Sequence, residues 1–321
     1  MNSESRHITK INGAEVVATT PTTGANWREV LSYFISTQDV KESSRNLYTR
    51  TLKLFFEWTE EKGKQISQLS RTDILEYKDE LFSKGLSSLS VASYLTSLRK
   101  FYEWAESEKL YPNIAKGVKT PRRVQAFKKQ HLTEEKSGEL LNHFESISLR
   151  DFAIVNLILR TGLRTIEVVR ADVGDITFKG DRRILRVWGK GRDTKDDFVV
   201  LTPKAYEPIK AYLDTRKGAK AGEPLFASDS HRNSGERLTT RTISGLCKSG
   251  LKAIGLDGRE FTAHSLRHTT AVTILKNGGN LTDAQEVLRH TSPTTTQIYT
   301  ESIKEELRLQ NAPEMMIENA F

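Results

Sequence analysis

Ala263-His264-Ser265-Leu266-Arg267-His268 is the densest cluster of chemistry-bearing side chains in the chain. The apolar period around it predicts a helix over residues 262–277, closed by Gly278-Gly279. His264 and Arg267 then share a face. His264 also falls in the first turn, where unpaired N–H groups and the helix dipole attract an anion. A histidine and an arginine at such an end suit a phosphate. The bland alternatives are a structural histidine beside a surface arginine, or a metal pair made by His264 and His268 one turn on. The metal alternative lacks the glutamate of a zinc-protease motif and an evident third ligand. No metal is expected.

Working outward, His290 ends a further helical pattern over residues 282–290, and Tyr299 follows in Thr294-Thr295-Thr296-Gln297-Ile298-Tyr299-Thr300. Most of the nine tyrosines fit apolar helical faces or amphipathic stretches; Tyr299 alone sits among hydroxyl side chains downstream of the histidines. Upstream, residues 152–159 are apolar almost all round, as expected of a buried helix, and stop at Thr161-Gly162. Arg164 and Glu167 follow immediately. Two strand patterns, residues 184–188 and 198–201, flank a polar loop that begins Gly189-Lys190-Gly191. Each of these pieces is weak alone, because a TGLR or GKG string often arises by chance.

The first part of the chain reads differently. Residues 1–25 are polar, lack an apolar period and are expected to form a mobile arm. Residues 26–110 carry four helical patterns. The third opens at Ser70-Arg71-Thr72-Asp73, a capping-box spacing, and closes near Gly85. The second and fourth share a motif, Leu52-x-x-Phe55-Phe56-Glu57-Trp58 and Leu98-x-x-Phe101-Tyr102-Glu103-Trp104, best explained by similar packing needs in a common core. Residues 111–131 read as a basic linker carrying Lys116, Lys119, Arg122, Arg123, Lys128 and Lys129 around Pro121. Such a run is usually a solvated connector. In this chain contact with a phosphate backbone is the stronger expectation.

Composition agrees with that expectation without compelling it. Over 321 residues, 49 Lys and Arg exceed 41 Asp and Glu, a formal charge of +8 that favours a polyanionic partner. The single cysteine, Cys247, excludes an internal disulfide and a multi-cysteine zinc site. No apolar run reaches membrane-spanning length and the start of the chain does not read as a secretion signal, so a soluble, cytoplasmic, nucleoid-associated protein is expected.

Taken in order, Arg164, Lys190, His264-x-x-Arg267, His290 and Tyr299 resemble the active site of the tyrosine site-specific recombinases, the phage integrase and Xer family, and the match extends over residues 26–302. The resemblance implies a mainly helical protein with a small sheet: a two-domain DNA clamp of an N-terminal four-helix, SAM-like core-binding domain and a C-terminal α+β catalytic domain over residues 132–302. It implies Tyr299 as nucleophile, Arg164 and Arg267 as donors to the phosphate oxygens, His264 as base or acceptor, and His290 as a further phosphate contact. It gives Lys190 the role of proton donor to the leaving 5′ oxygen. Glu167 and His268 support the set. It implies no cofactor, a 3′-phosphotyrosine and Holliday-junction route, a specific core site on double-stranded DNA, a homotetramer on two sites, and in some members accessory DNA-bending proteins. Residues 303–321 are expected to dock on a neighbouring protomer or on their own domain. One departure is Arg289, where the family often has glycine; its side chain is expected to reach the DNA backbone. The competing classes are a type IB topoisomerase and a catalytically silent DNA-binding regulator. The added length before residue 26 leans toward a mobile-element integrase.

Overall fold

Apolar periodicity sets the fold of each half of the chain. The computed structural model describes residues 6–11, 14–19, 26–121, 130–188 and 194–290, with Ile303, Lys304, Arg308, Glu314 and Glu318 beyond them; for residues 6–19 the backbone alone is considered. The chain divides into two units, Met1–Ala126 and Phe127–Phe321.

In the first unit, helices α1 (Trp27–Thr37), α2 (Glu42–Glu61), α3 (Arg71–Ser83) and α4 (Ser88–Ser107) surround an aromatic core. Leu52, Phe55, Phe56 and Trp58 of α2 and Leu98, Phe101 and Tyr102 of α4 are all buried, so the repeated motif is a packing motif. Phe56 meets Phe101 edge-on at 5.1 Å and Phe55 meets Tyr77 at 5.0 Å, the offset geometry that ring quadrupoles favour. Asp73 closes the start of α3 by accepting from the Ser70 backbone N–H at 2.7 Å, as the spacing predicts.

Two boundaries differ from expectation. The stretch expected to be an arm contains an antiparallel pair, β1 (Arg6–Ile11) with β2 (Ala14–Thr19). The β-branched residues on both sides of Asn12-Gly13, Ile8, Thr9 and Ile11 before it and Val16, Val17 and Thr19 after it, favour such a ribbon; the dipeptide itself lies outside the described residues. The stretch expected to be linker from residue 111 is instead the close of the first unit. Tyr111, Ala115 and Val118 are buried in its core. Arg71 donates to the carbonyls of Lys116 and Gly117 at 3.2 and 3.1 Å, Lys78 to that of Lys119 at 3.3 Å, and Arg99 to that of Val118 at 3.2 Å. Apolar anchors and gripped carbonyls hold this segment, so the connector proper is shorter than composition suggests. The side chains of Lys116 and Lys119 are exposed; Arg122, Arg123, Lys128 and Lys129 lie outside the described residues.

The second unit is mainly helical with a three-stranded antiparallel sheet. Helices α5 (Glu134–Glu145), α6 (Leu149–Thr161) and the short α7 (Thr165–Arg170) precede strands β3 (Ile176–Lys179), β4 (Arg182–Val187) and β5 (Asp197–Val200), in the order β3-β4-β5. Then follow α8 (Pro203–Thr215), α9 (Thr240–Ala253), α10 (Ala263–Lys276) and α11 (Leu281–Leu288). The buried α6 packs at the centre, and α10 crosses it with Thr270 donating to the Leu159 carbonyl at 2.9 Å. Residue Ile303, the first of the expected tail, is buried against Ala271, Leu275 and Leu288 of its own unit.

Candidate active site

The ends of α6 and α11 and the start of α10 bring Arg164, His264, Arg267 and His290 near one another. Helix α6 ends at Gly162, whose φ of +62° is the left-handed conformation that glycine adopts most readily. A side chain there would also collide with Leu288, because an added Cβ would lie 2.5 Å from its Cδ2. That close approach lets α10 span two helix ends: the buried guanidinium of Arg267 donates to the carbonyls of Gly162 and Leu288. These carbonyls would otherwise be unpaired helix-terminal acceptors.

Past Gly162 the chain turns at once into α7, with Arg164 as its capping residue. Glu167 reaches back to accept from the Arg164 backbone N–H and from its guanidinium, both at 2.7 Å. The Arg164 side chain retains 27% exposure while Glu167 is 5% exposed. Burial pushes the Glu167 carboxyl up, but the Arg289 charge and the donors of Arg164 outweigh it and hold the group below the usual carboxylate range.

His264 stands exposed in the first turn of α10, as its spacing predicts. It lines a cavity of about 520 Å³ with Leu163, Arg164, Arg267, Ser244 and Lys248. His290 follows α11 and is half-buried. Burial, then the charges of Arg267, Arg164, His264 and Arg289, drive its pKa down to about 4. At neutral pH it is therefore an uncharged imidazole, able to donate from one nitrogen and accept at the other. Arg164, His264, Arg267 and His290 thus form one electrostatically coupled group.

The remaining expectations divide. Lys190 and Tyr299 lie outside the described residues. The borders of the Lys190 loop are tied down: Lys195 donates to Asp172 and Asp175, and the Arg170 guanidinium lies 5.6 Å from the Trp188 ring centre. His268 is buried beside His131, ring centres 5.6 Å apart, and supports the start of the unit. Arg289 does not reach outward as expected. Its side chain is 7% exposed and donates to Glu167 at 2.8 Å, because the left-handed backbone at this position turns it inward. Ser244 and Lys248 were missed; both stand on a helix whose spacing carries no sign of the cavity. Among the described residues no group of three or more His, Cys, Asp or Glu is placed to hold a metal ion, and no helix is long and apolar enough to cross a membrane.

The chain as a whole matches known families. Residues 130–306 match the phage integrase family and residues 29–109 the phage integrase N-terminal SAM-like domain. A tyrosine recombinase XerC of Leptospira interrogans is 29% identical over 293 residues, covering 88% of this chain and 90% of that relative. A XerC of Actinobacillus pleuropneumoniae serotype 7 is 32% identical over 220 residues, covering 68% and 69%. In fold the chain resembles a XerH site-specific recombinase solved bound to its palindromic difH substrate, with TM-score 0.70 and 20% identity over 90% of this chain and 84% of that one. With two family models that together take in both units, the chain belongs to the phage integrase family of tyrosine recombinases, enzymes that act on DNA in site-specific recombination.

Proposed function

We propose that this recombinase cuts and rejoins DNA through a 3′-phosphotyrosine at Tyr299, on two sites bound by a tetramer, in the service of a mobile element. The observation that carries the chemistry is the convergence of Arg164, His264, Arg267 and a neutral His290 on one group. Attack by a tyrosine hydroxyl on a phosphodiester builds negative charge on the two non-bridging oxygens. Two guanidiniums bring positive charge to that place, and Arg164, the more exposed, turns donors from Glu167 to those oxygens as the phosphate enters. The tyrosine hydroxyl, with an ordinary pKa near ~10, loses its proton as the O–P bond forms, and His264 accepts that proton. The bond to the 5′ oxygen breaks, and Lys190 supplies the proton this leaving group takes up. The phosphotyrosine ester keeps the bond energy, so the reverse attack by a 5′ hydroxyl rejoins DNA with no nucleotide consumed.

A nicked duplex that loses its short 5′ fragment after cleavage traps the intermediate. The unsubstituted chain is expected to become covalently attached to such DNA, and Tyr299→Phe to bind the site without attachment. Covalent product from Tyr299→Phe would remove Tyr299 from the role. Relaxation of supercoils with no exchange between two sites would place the chain with the topoisomerases instead.

A further inference from the structure

We infer that Arg289 is a positioning residue for Arg164, acting through the carboxylate of Glu167 that the two guanidiniums share. The inference rests on Arg164 serving as a phosphate donor and goes beyond it by assigning a residue that touches no DNA.

Arg289 occupies an unfavourable backbone position. It ends α11 at φ +53°, a left-handed conformation that costs a residue with a Cβ more than it costs glycine. Its side chain is nonetheless turned inward, with both terminal nitrogens hydrogen-bonded and Nε buried without a hydrogen-bond partner. One terminal nitrogen donates to Glu167 Oε2 at 2.8 Å, the other to the Val287 carbonyl at 2.8 Å, and Nε lies 3.9 Å from Asp197 Oδ2. Glu167 Oε1 meanwhile accepts from Arg164 at 2.7 Å. Each oxygen of one buried carboxylate therefore faces its own guanidinium.

The two partners differ in freedom. Arg164 is 27% exposed and borders the cavity, whereas Arg289 is 7% exposed and held at its far side by Val287. When a phosphate enters, Arg164 must trade part of its hold on Glu167 for the new anion. With Arg164 as the sole partner, that trade would strand a buried carboxylate, which is strongly unfavourable. Arg289 remains behind as counter-charge. It lets Arg164 move to substrate and return, so its contribution falls on the chemical step and not on DNA affinity.

The test is covalent complex formation on nicked site DNA at saturating protein, beside a measurement of site affinity. Arg289→Met keeps an unbranched, though shorter, side chain while removing the charge, and it is expected to slow attachment by roughly tenfold or more with affinity changed by less than about threefold. Arg289→Lys restores the charge and is expected to recover most of the rate. Arg289→Gly, which suits the left-handed position, guards against a folding failure and is expected to show the same loss as the methionine variant. On a Glu167→Gln background the methionine change should add little, because the shared charge is already gone. Equal rates for Arg289→Met and the unsubstituted chain overturn the inference. So do equal losses in the methionine and lysine variants, or the same loss on both backgrounds. No attachment by the unsubstituted chain would instead overturn the phosphotyrosine reading itself.

Discussion

His290 shows how far one residue's charge state follows from its surroundings. Its folded pKa, about 4, lies below the ordinary imidazole value, since burial and four cationic or polar neighbours oppose protonation. The unfolded chain takes up a proton near pH ~6.5 while the folded chain does not. The neutral imidazole therefore contributes stability above the unfolded value that is lost as pH falls from about 6.5 toward about 4. In an NMR titration of the DNA-free protein the His290 ring resonances should show a midpoint below pH 5; a midpoint near 6.5 would mean that the imidazole does not sense the guanidiniums. Gly162 makes the steric case. Gly162→Ala combines a left-handed φ with a Cβ driven against Leu288, and should destabilise the second unit by about 2–3 kcal/mol in urea unfolding. A loss under about 0.5 kcal/mol would show that α6 and α11 separate cheaply. At this scale four residues that the sequence singles out lie within electrostatic reach of one another. Arg164, His264, Arg267 and His290 could be named from type and order. Arg289 could not be oriented, since an arginine in a polar stretch reads as a surface cation and its backbone angle is invisible in the sequence.

Among the elements, long periodic helices were legible and short or exposed ones were not. α4 has a face set by regular apolar spacing and α10 is buried almost all round, whereas β3 is four residues with Phe178 at 60% exposure and carries no alternating pattern strong enough to find. Helix α5 begins with Glu134-Glu135-Lys136, a polar turn that resembles loop until the Thr133 cap is seen accepting from the Lys136 N–H. The start of the linker is hard to read in the sequence because the charges of residues 111–131 mask the intervening Tyr111, Ala115 and Val118. Those side chains decide the matter: Tyr111→Ala should cost the first unit about 3 kcal/mol, the ordinary effect of emptying an aromatic site in a core. Hydrogen exchange in α3 and α4 would report it. Unchanged protection there would mean that the segment merely lies on the unit it is buried in.

For the whole molecule the question is which of the 49 basic side chains are available to DNA. Arg71, Lys78 and Arg99 are directed at carbonyls of residues 116–119, and Arg289 at Glu167. Net charge alone therefore overstates the binding surface. Lys116 and Lys119 expose their side chains on the gripped segment, and Arg122, Arg123, Lys128 and Lys129 follow directly in the sequence. If the connector tracks a duplex backbone, neutralising those last four leaves up to four phosphates without a cationic partner. The slope of log affinity against log salt should then flatten by as much as about 3–4, at about 0.9 for each phosphate no longer neutralised. Because phosphates carry no base information, affinity should fall alike for the cognate site and for random duplex. Replacing Arg71 and Arg99 by glutamine should behave in the opposite way, lowering the stability of the first unit with little effect on the slope. Filter binding across a salt series separates the two sets. An unchanged slope in the four-residue variant would show that the connector faces solvent in the complex, and would shift the burden of backbone contact to the cations of the two folded units.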